Sequence, residues 1–450
     1  MKIAFRPSII AAALSCTIAT PVFAQDQEVS TEQELETMRA QLRALTSRID
    51  ELESDLAAAK SASATQAAAV VDSPEEVSAP AASAPVNTLV KSDGWSFTPR
   101  GRLMFDAGTL SAPDSVSADD GFGNEVRRAR IGASGDLPGG FGYKFEVDFA
   151  GDEVAVADAI LTYDDGPLEI AIGQHNNFQS LEELTSSLHT SFIERAAFTD
   201  AFGFERRIGA SASYGTGILL AQLGVFTDNF ADTGTDNRGI DGRIAIMPEI
   251  GATQLHFAGS LHYNDLGDED ASVRYRQRPL VHFTSTRFVD SGELAADNEF
   301  GIGLEAAAIA GPFHAVAEGY RQKVDMPIAG SNPAFFGGYA EAGYFLTAGD
   351  TRGYKGGKFD RVKPANPVGE GGFGSLQVNL RYDYLDLNDG GIVGEIQNGY
   401  QASLIWKPTD YTLFSVNYGR LEYDDAALPT AGGDRDYGVD AVGVRAQVDF

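Results

Sequence analysis

From Trp95 to Phe450, apolar and polar residues alternate with a period of two through one segment after another. In the run Tyr143-Lys144-Phe145-Glu146-Val147-Asp148-Phe149 the apolar and charged sets fall on opposite faces of an extended chain, and 376–384 behaves the same way. Arg207, Gly209, Ser211 and Ser213 likewise oppose Ile208, Ala210, Ala212 and Tyr214. A soluble sandwich also alternates, but its strands usually number about five or six residues, whereas many of these segments are long enough for the tilted strands of a membrane barrel. Sixteen segments are predicted, near 98–110, 125–136, 140–150, 154–164, 167–174, 204–215, 217–227, 239–248, 252–264, 298–311, 312–325, 335–349, 372–388, 396–408, 409–424 and 437–450. Their connections alternate between tight turns, such as Leu137-Pro138-Gly139 and Asp165-Gly166, and long loops at 111–124, 175–203, 228–238, 265–297 and 425–436. One end thus carries turns and the other loops; the connection 350–371 breaks the rule, being long where a turn is expected.

Two further features belong to the same pattern. Val442, Val444, Ala446, Val448 and Phe450 place the terminal Phe in phase with an outward apolar row, as a strand closing a barrel requires. Tyr163, Tyr214, Tyr263, Tyr344, Trp406, Tyr411 and Tyr423 gather near segment ends, where interfacial girdles are expected. The fold class predicted is all-β: a 16-stranded antiparallel transmembrane β-barrel over 95–450, preceded by a periplasmic coiled-coil helix and a linker.

Before residue 95 the pattern changes. Lys2 and Arg6 precede an apolar run, and Val22-Phe23-Ala24 supplies small residues for cleavage, so 1–24 reads as a signal peptide. Leu35, Met38, Leu42, Leu45, Ile49, Leu52 and Leu56 keep a strict heptad register, which predicts a coiled-coil helix over 30–58. Glu34 against Arg39 and Arg48 against Glu53 suit a parallel assembly. Residues 59–94 are rich in Ala, Ser and Pro and read as a low-complexity linker.

Composition narrows the possible roles. The 450 residues carry a formal net charge of −30, which argues against nucleic acid as a partner. A hydrophobic fraction of 43% is too high for a disordered chain. Cys16 is the only cysteine and lies in the signal peptide, so the exported chain has no thiol chemistry. No metal spacing links the six histidines, no cofactor is expected, and the Gly301–Ala306 run that imitates a dinucleotide fingerprint reads as a Gly-rich strand. An enzyme is therefore not expected; a barrel-embedded Ser/His hydrolase is the rival class, and it lacks a nucleophile motif.

The charged residues suggest an anion path. Arg274, Arg276 and Arg278 occupy every second position of 273–279 and point the same way in an extended segment. Guanidiniums about 7 Å apart make successive forked donors for oxyanions, unless facing carboxylates compensate them. Arg128 and Arg130 fall on the lumen side of the second segment, and Arg102, Lys144, Arg207, Arg243 and Arg381 are lumen-facing by the same alternation. Asp106, Glu146, Asp148 and Asp383 are available to pair with them. The odd connection 350–371 holds Arg352, Lys355, Lys358, Arg361 and Lys363, a basic turn able to fold up into a pore.

From about Gly101 onward the chain resembles the phosphate-selective porins O and P. The runs that carry the resemblance are VRRARIGASG (126–135), YKFEVDFAG (143–151), SLEELTSS (180–187), ERRIGAS (205–211), GLEAAA (303–308), GYFLTAGD (343–350), KFDRVKP (358–364) and LRYDYLDLND (380–389). The resemblance implies a trimeric outer-membrane channel for phosphate, polyphosphate or other small anions. It also implies that Arg274, Arg276 and Arg278 form an arginine ladder leading to a lysine- and arginine-lined constriction. The connection 175–203 is then the loop folded inward. Against the family pattern, the chain is strongly acidic: Asp119, Asp120, Asp228, Asp232, Asp236, Asp268, Glu269, Asp270, Asp424, Asp425, Asp434 and Asp436 crowd the expected external loops. Divalent cations and surrounding lipopolysaccharide would be needed to neutralise them. The alternative is a general, weakly selective diffusion porin whose coil tethers it in the envelope by gripping the cell wall.

Overall fold

The computed structural model describes residues 89–90 and 93–450, other than 233–235, 268–270 and 328–331. The signal peptide, the coil and nearly all of the linker lie outside these residues. Sixteen long antiparallel strands form one closed sheet. The first eight are β1 (Ser96–Ser111), β2 (Gly121–Leu137), β3 (Phe141–Asp148), β4 (Ala155–Asp165), β5 (Leu168–Asn176), β6 (Arg206–Thr216), β7 (Leu219–Phe226) and β8 (Arg238–Ile246). The second eight are β9 (Thr253–Asp265), β10 (Asn298–Ala310), β11 (Phe313–Asp325), β12 (Ala334–Phe345), β13 (Ser375–Asp386), β14 (Ile396–Thr409), β15 (Thr412–Asp424) and β16 (Tyr437–Asp449). Each predicted segment contains one strand, with ends shifted by a few residues. Two-residue pieces at Leu89–Val90 and Glu249–Ile250 extend the sheet at its margin.

Closure runs from Arg102↔Asp449 to Ser111↔Asp440 between β1 and β16. Gly101 and Phe450 then exchange two backbone hydrogen bonds of 3.0 Å. Every central strand thus has a neighbour on both sides, so no edge is left for lipid to solvate. Outward rows are apolar, with Phe450 60% and Ile131 63% exposed. Tyr163, Tyr214, Tyr344, Trp406 and Tyr411 cluster at the end with the short turns, and Tyr263 at the opposite end. Tyr423 departs from the expected girdle: it is buried inside the barrel, stacked on Phe288 at 5.0 Å, with its hydroxyl donating to Gln397. The strand's parity decides this, since Phe414, Val416 and Tyr418 take the outward face.

Two long loops fold into the barrel and bury an apolar core there. The first (177–205) contributes Leu181, Phe198, Phe202 and Phe204; the second (266–297) contributes Tyr275, Leu280, Val281, Phe288 and Val289. They pack on lumen-facing Leu110, Tyr320, Phe335, Tyr339, Leu385 and Leu421 from the strand walls. Phe204 meets Tyr320 edge-on at 4.8 Å, and Tyr275 meets Phe335 at 5.4 Å. Each such side chain contributes about 1.5–3 kcal/mol by burial, which is why these loops stay inside the barrel although their ends are polar.

Candidate functional site

The first inward loop is held to the wall by polar groups whose positions the strands set. Its short helix α1 (Leu181–Leu184) begins at Ser180, whose φ of 65° is unusual for a residue with a side chain. Glu318 on β11 holds that strained start: it accepts from Ser180 Oγ, Leu181 N and Glu182 N, each at 2.8 Å, and from the Tyr339 hydroxyl at 2.8 Å. A second helix, α2 (Ala197–Ala201), is anchored by Ala197 N donating to Asp383 at 2.9 Å. Ile193 N donates to Asn417 at 3.1 Å, and Ser403 donates to Ser191 O at 2.6 Å. Arg381, buried on β13, bridges Glu182 of the loop and Glu341 of β12 at 2.8 Å each. The loop therefore fills the side of the lumen under β11–β15 and leaves open space along β1–β6.

That space holds two successive voids of 230 and 260 Å³. They share Arg128, Glu183, Arg195 and Arg206, which makes them stations of one passage. Nine cationic side chains line it (Arg102, Arg127, Arg128, Arg130, Lys144, Arg195, Arg206, Arg278 and Lys358), against six carboxylates.

Arg128 and Arg130 of β2 face the lumen by alternation, and a bulge turns Arg127 inward beside them. Register shifts between Met104 and Phe105 of β1, so Arg127 is the extra residue opposite them and Val126 returns to the lipid face. Arg127 then makes a bidentate pair with Glu194 of the inward loop at 2.6 and 3.0 Å. Burial by itself would raise Glu194, but Arg127, Arg445 and Arg128 outweigh it and hold the carboxyl well below its usual range. Arg130 bridges Glu146 at 3.0 Å and Asp148 at 2.7 Å, and Arg102 also meets Glu146 at 3.0 Å. Asp158 takes both Lys144 at 2.6 Å and Arg206 at 2.7 Å. Arg195 donates to three loop carbonyls and lies 3.3 Å from Glu183. Burial raises the Glu183 carboxyl despite Arg195, Arg206 and Arg128.

Once these pairs are made, Arg128 stands apart. Among the described residues its side chain makes no hydrogen bond or ion pair, and its Nε is buried without a partner. Among the described residues the Arg278 side chain bonds only to Thr284 O, at 3.2 Å, while its backbone N donates to Asp200. Lys358 reaches the second void from the opposite end of the barrel and has no ion-pair partner among the described residues.

Lys358 arrives there because the connection 346–374 does fold inward. It carries a hairpin, Gly353–Lys355 with Lys358–Asp360, tied to the lumen by Arg352 donating to His189 O and by Arg243 donating to Gly357 O at 3.0 Å. Tyr354 shares a 2.6 Å hydrogen bond with His256, and Arg361 pairs with Asp449. His189 is pushed down to about 2 by burial and by Lys407, Arg361 and Arg352, so its 3.7 Å approach to Asp360 involves a neutral ring.

The structure thus brings Arg128, Arg130, Arg278 and Lys358 of the expected set to one passage. Arg274, Arg276 and Arg278 do share a face, with Tyr275 and Gln277 buried on the other. Arg274 is exposed and paired with Asp290 at 2.6 Å and Glu293 at 3.4 Å, the facing carboxylates that such a run needs in the absence of an anion. Arg276 is exposed opposite Asp290, and burial, followed by Arg278 and Arg276, lowers Arg287 to about 10. Arg207 lies beside Glu205, off the passage, with Nε and Nη1 buried and unpartnered among the described residues. Arg352 is buried in its hairpin contacts, Lys355 sits at the hairpin turn, and Lys363 is exposed beyond it. Arg127, Arg195, Arg206 and Glu194 were not anticipated. The doublets Arg127-Arg128 and Arg206-Arg207 were the available signal, since strict alternation would put one member of each in lipid.

A closed barrel with apolar outer rows, girdles and a charged internal passage is an outer-membrane channel of the porin class. The comparisons agree. The profile of the family described as phosphate-selective porin O and P matches residues 97–450, and the chain belongs to that family. An uncharacterized protein of Caulobacter vibrioides is 43% identical, over 98% of this chain and 94% of its own length. In fold the chain is similar to the anion-selective porin from Comamonas acidovorans, at a TM-score of 0.52 and 14% identity over 79% of this chain and all of that one. It is also similar to OmpT, an outer membrane protein of Vibrio cholerae, at a TM-score of 0.51 and 12% identity over 80% of this chain and 99% of that one. Family and barrel point to a channel rather than an enzyme.

Proposed function

We propose that this protein is an outer-membrane porin that passes phosphate-like anions through an arginine-lined lumen. Arg128 carries the reading: an unpaired guanidinium between two voids whose other arginines, Arg278 excepted, are already engaged by carboxylates. An oxyanion arriving there meets a forked donor without first breaking an ion pair. Arg276 and Arg278 supply charge above it on the loop side, and Lys358 supplies it below. Arg274 contributes less, because Asp290 and Glu293 compensate it. Arg130, Arg207, Arg352, Lys355 and Lys363 shape the local potential rather than contact the anion. The test is phosphate block of chloride current in planar bilayers: Arg128→Gln should weaken the block, Arg276→Ser with Arg278→Ser should lower anion-over-cation permeability, and an unchanged block in Arg128→Gln would refute the assignment.

A homotrimer in the outer membrane, with 1–24 removed and the coil of 30–58 in the periplasm, completes the proposal. Lipid and lipopolysaccharide are then its surroundings and the cell wall a contact of the coil. The second reading, a general porin with weak selectivity, is favoured by the extent of internal pairing, since most lumen arginines already face carboxylates. The two readings differ in whether phosphate blocks chloride current at all.

A further inference from the structure

We propose that Arg321 and Lys323, on the outer face of β11, form a seat for the phosphate of a lipid headgroup in the outer leaflet, separate from the lumen passage. The seat rests on the outer-membrane reading above but not on the choice of solute. Arg321 lies in register between Ile302 of β10 and Phe336 of β12, which are 44% and 45% exposed on the lipid face. Directly opposed residues in a sheet share a face, so the guanidinium points outward. Lys323 follows two residues later between Phe300 and Ala334.

Height along the barrel places this pair. Phe313, at the turn end of β11, packs on Tyr344 at 4.5 Å and marks the periplasmic girdle. Arg321 is eight residues further on, roughly 20 Å up at about 3.4 Å per residue and a tilt near 40°, against an apolar band about 25 Å tall. Arg321 therefore sits at the outer edge of the hydrocarbon, where the headgroup phosphates of the outer leaflet begin.

Charge accounting points the same way. In a chain of net charge −30, the Arg321 side chain makes no hydrogen bond or ion pair among the described residues. Lys323 reaches Asp325 at 2.6 Å, but that carboxylate also accepts from Asn332 at 2.6 Å. Asp386, the next outward carboxylate on that side, is one strand beyond Phe336 and already accepts from Tyr384 and Asn388 N. An uncompensated guanidinium at a lipid boundary is tolerated where an anionic group meets it. Below Arg321, the pairs Gly319↔Gly338, Ala317↔Ala340 and Ala315↔Ala342 leave a shallow strip between Leu304 and Leu380. An acyl chain hanging from a phosphate at Arg321 would lie in that strip.

The experiment places full-length protein in phosphatidylcholine nanodiscs doped with diphosphorylated lipid A, or with the same lipid dephosphorylated, and counts glycolipid retained per barrel by native mass spectrometry. Wild type should retain the phosphorylated lipid about tenfold better than the dephosphorylated one. Arg321→Gln with Lys323→Gln should abolish that preference, and Arg321→Lys with Lys323→Arg should keep it. Conductance and phosphate block should be unchanged in both variants, so loss of lipid retention and loss of the channel reading are separate results. Equal retention of both lipids by wild type overturns the seat. So does displacement of the lipid by inorganic phosphate, which would make it a free-anion site. A change in subunit number in the Gln variant without any lipid effect would assign the face to a second copy of the chain and equally overturn it.

Discussion

Replacing Arg128 by Gln removes the one lumen guanidinium that, among the described residues, lines both voids and lacks a protein partner. At about 4 Å and an intermediate dielectric, a unit charge and an anion attract by about 4 kcal/mol. Desolvation and competing water leave about 1.5–3 kcal/mol for a charge-assisted hydrogen bond, or roughly 10- to 100-fold in affinity. Phosphate block of chloride current should weaken by that factor. Stability should hold, because no carboxylate loses a hydrogen-bond donor. Arg127→Gln is the contrast. It strips Glu194 of its bidentate donor and leaves only Arg445, at 3.6 Å. Breaking such a pair costs toward the lower end of about 3–5 kcal/mol, since both side chains keep some contact with water. This variant should lose heat resistance on gels and move permeability toward cations, because a bare carboxylate now faces the passage. Planar-bilayer block constants and heat-modifiability of the folded band, measured on both variants, check the pair of outcomes. An Arg128→Gln channel with wild-type block, or equal loss of heat resistance in both variants, would refute the reasoning.

Four further outcomes follow from the same contacts. Glu318→Leu leaves Ser180 Oγ, Leu181 N and Glu182 N without their acceptor, so it should loosen the inward loop by about 3 kcal/mol or more and raise and destabilise single-channel conductance. A Cβ at Gly101 would lie 2.2 Å from the Phe450 ring; Gly101→Val and Phe450→Ser should each lower outer-membrane yield while leaving the conductance of inserted channels near normal. Burial, with Asp290 nearby, raises Glu395 to about 7, and this carboxyl accepts from Asp290 N at 2.8 Å. Its contribution to docking the second loop is full below the ordinary carboxylate range and is lost as pH rises through about 7, so hydrogen exchange around Asp290, corrected for intrinsic rate, should quicken between pH 5 and 8 in wild type but not in Glu395→Gln. Deleting 31–56 should lower trimer stability or cell-wall attachment with the barrel still folded, as gels and sacculus pull-down would show.

Much of the barrel was legible because alternation is a local consequence of lipid on one side and polar lumen on the other. Closure was legible for the same reason: Val442 to Phe450 can face lipid in only one phase. Alternation failed where the backbone departs from ideal register. The bulge beside Met104 turns Arg127 inward, and Arg206, at the first position of β6, swings to Asp158. Tyr423 was misplaced because proximity to a strand end was weighed above parity. The contents of the lumen were less legible, since they depend on contacts between residues far apart in sequence. Glu318 looks like any inward carboxylate until Ser180 and α1 are placed on it, and Arg274 looks like a free ladder rung until Asp290 and Glu293 fold back beside it. Alternation put Arg128 and Arg130 on the lumen side of the second segment, but which lumen arginine stays unpaired depends on the carboxylates that fold beside it.

On the function proposed above, a passage with an unpaired arginine sets selectivity in a chain whose overall charge is −30. External carboxylates are exposed and screened within about 8–10 Å at ordinary ionic strength, whereas the lumen cations act at short range. The most direct measurement is the reversal potential of single wild-type channels under a potassium chloride gradient, at physiological and at low salt. The sign should be that of an anion-selective channel at physiological salt, with a weaker preference at low salt where the acidic rim is less screened. A reversal potential of the cation-selective sign at both salt levels would contradict it.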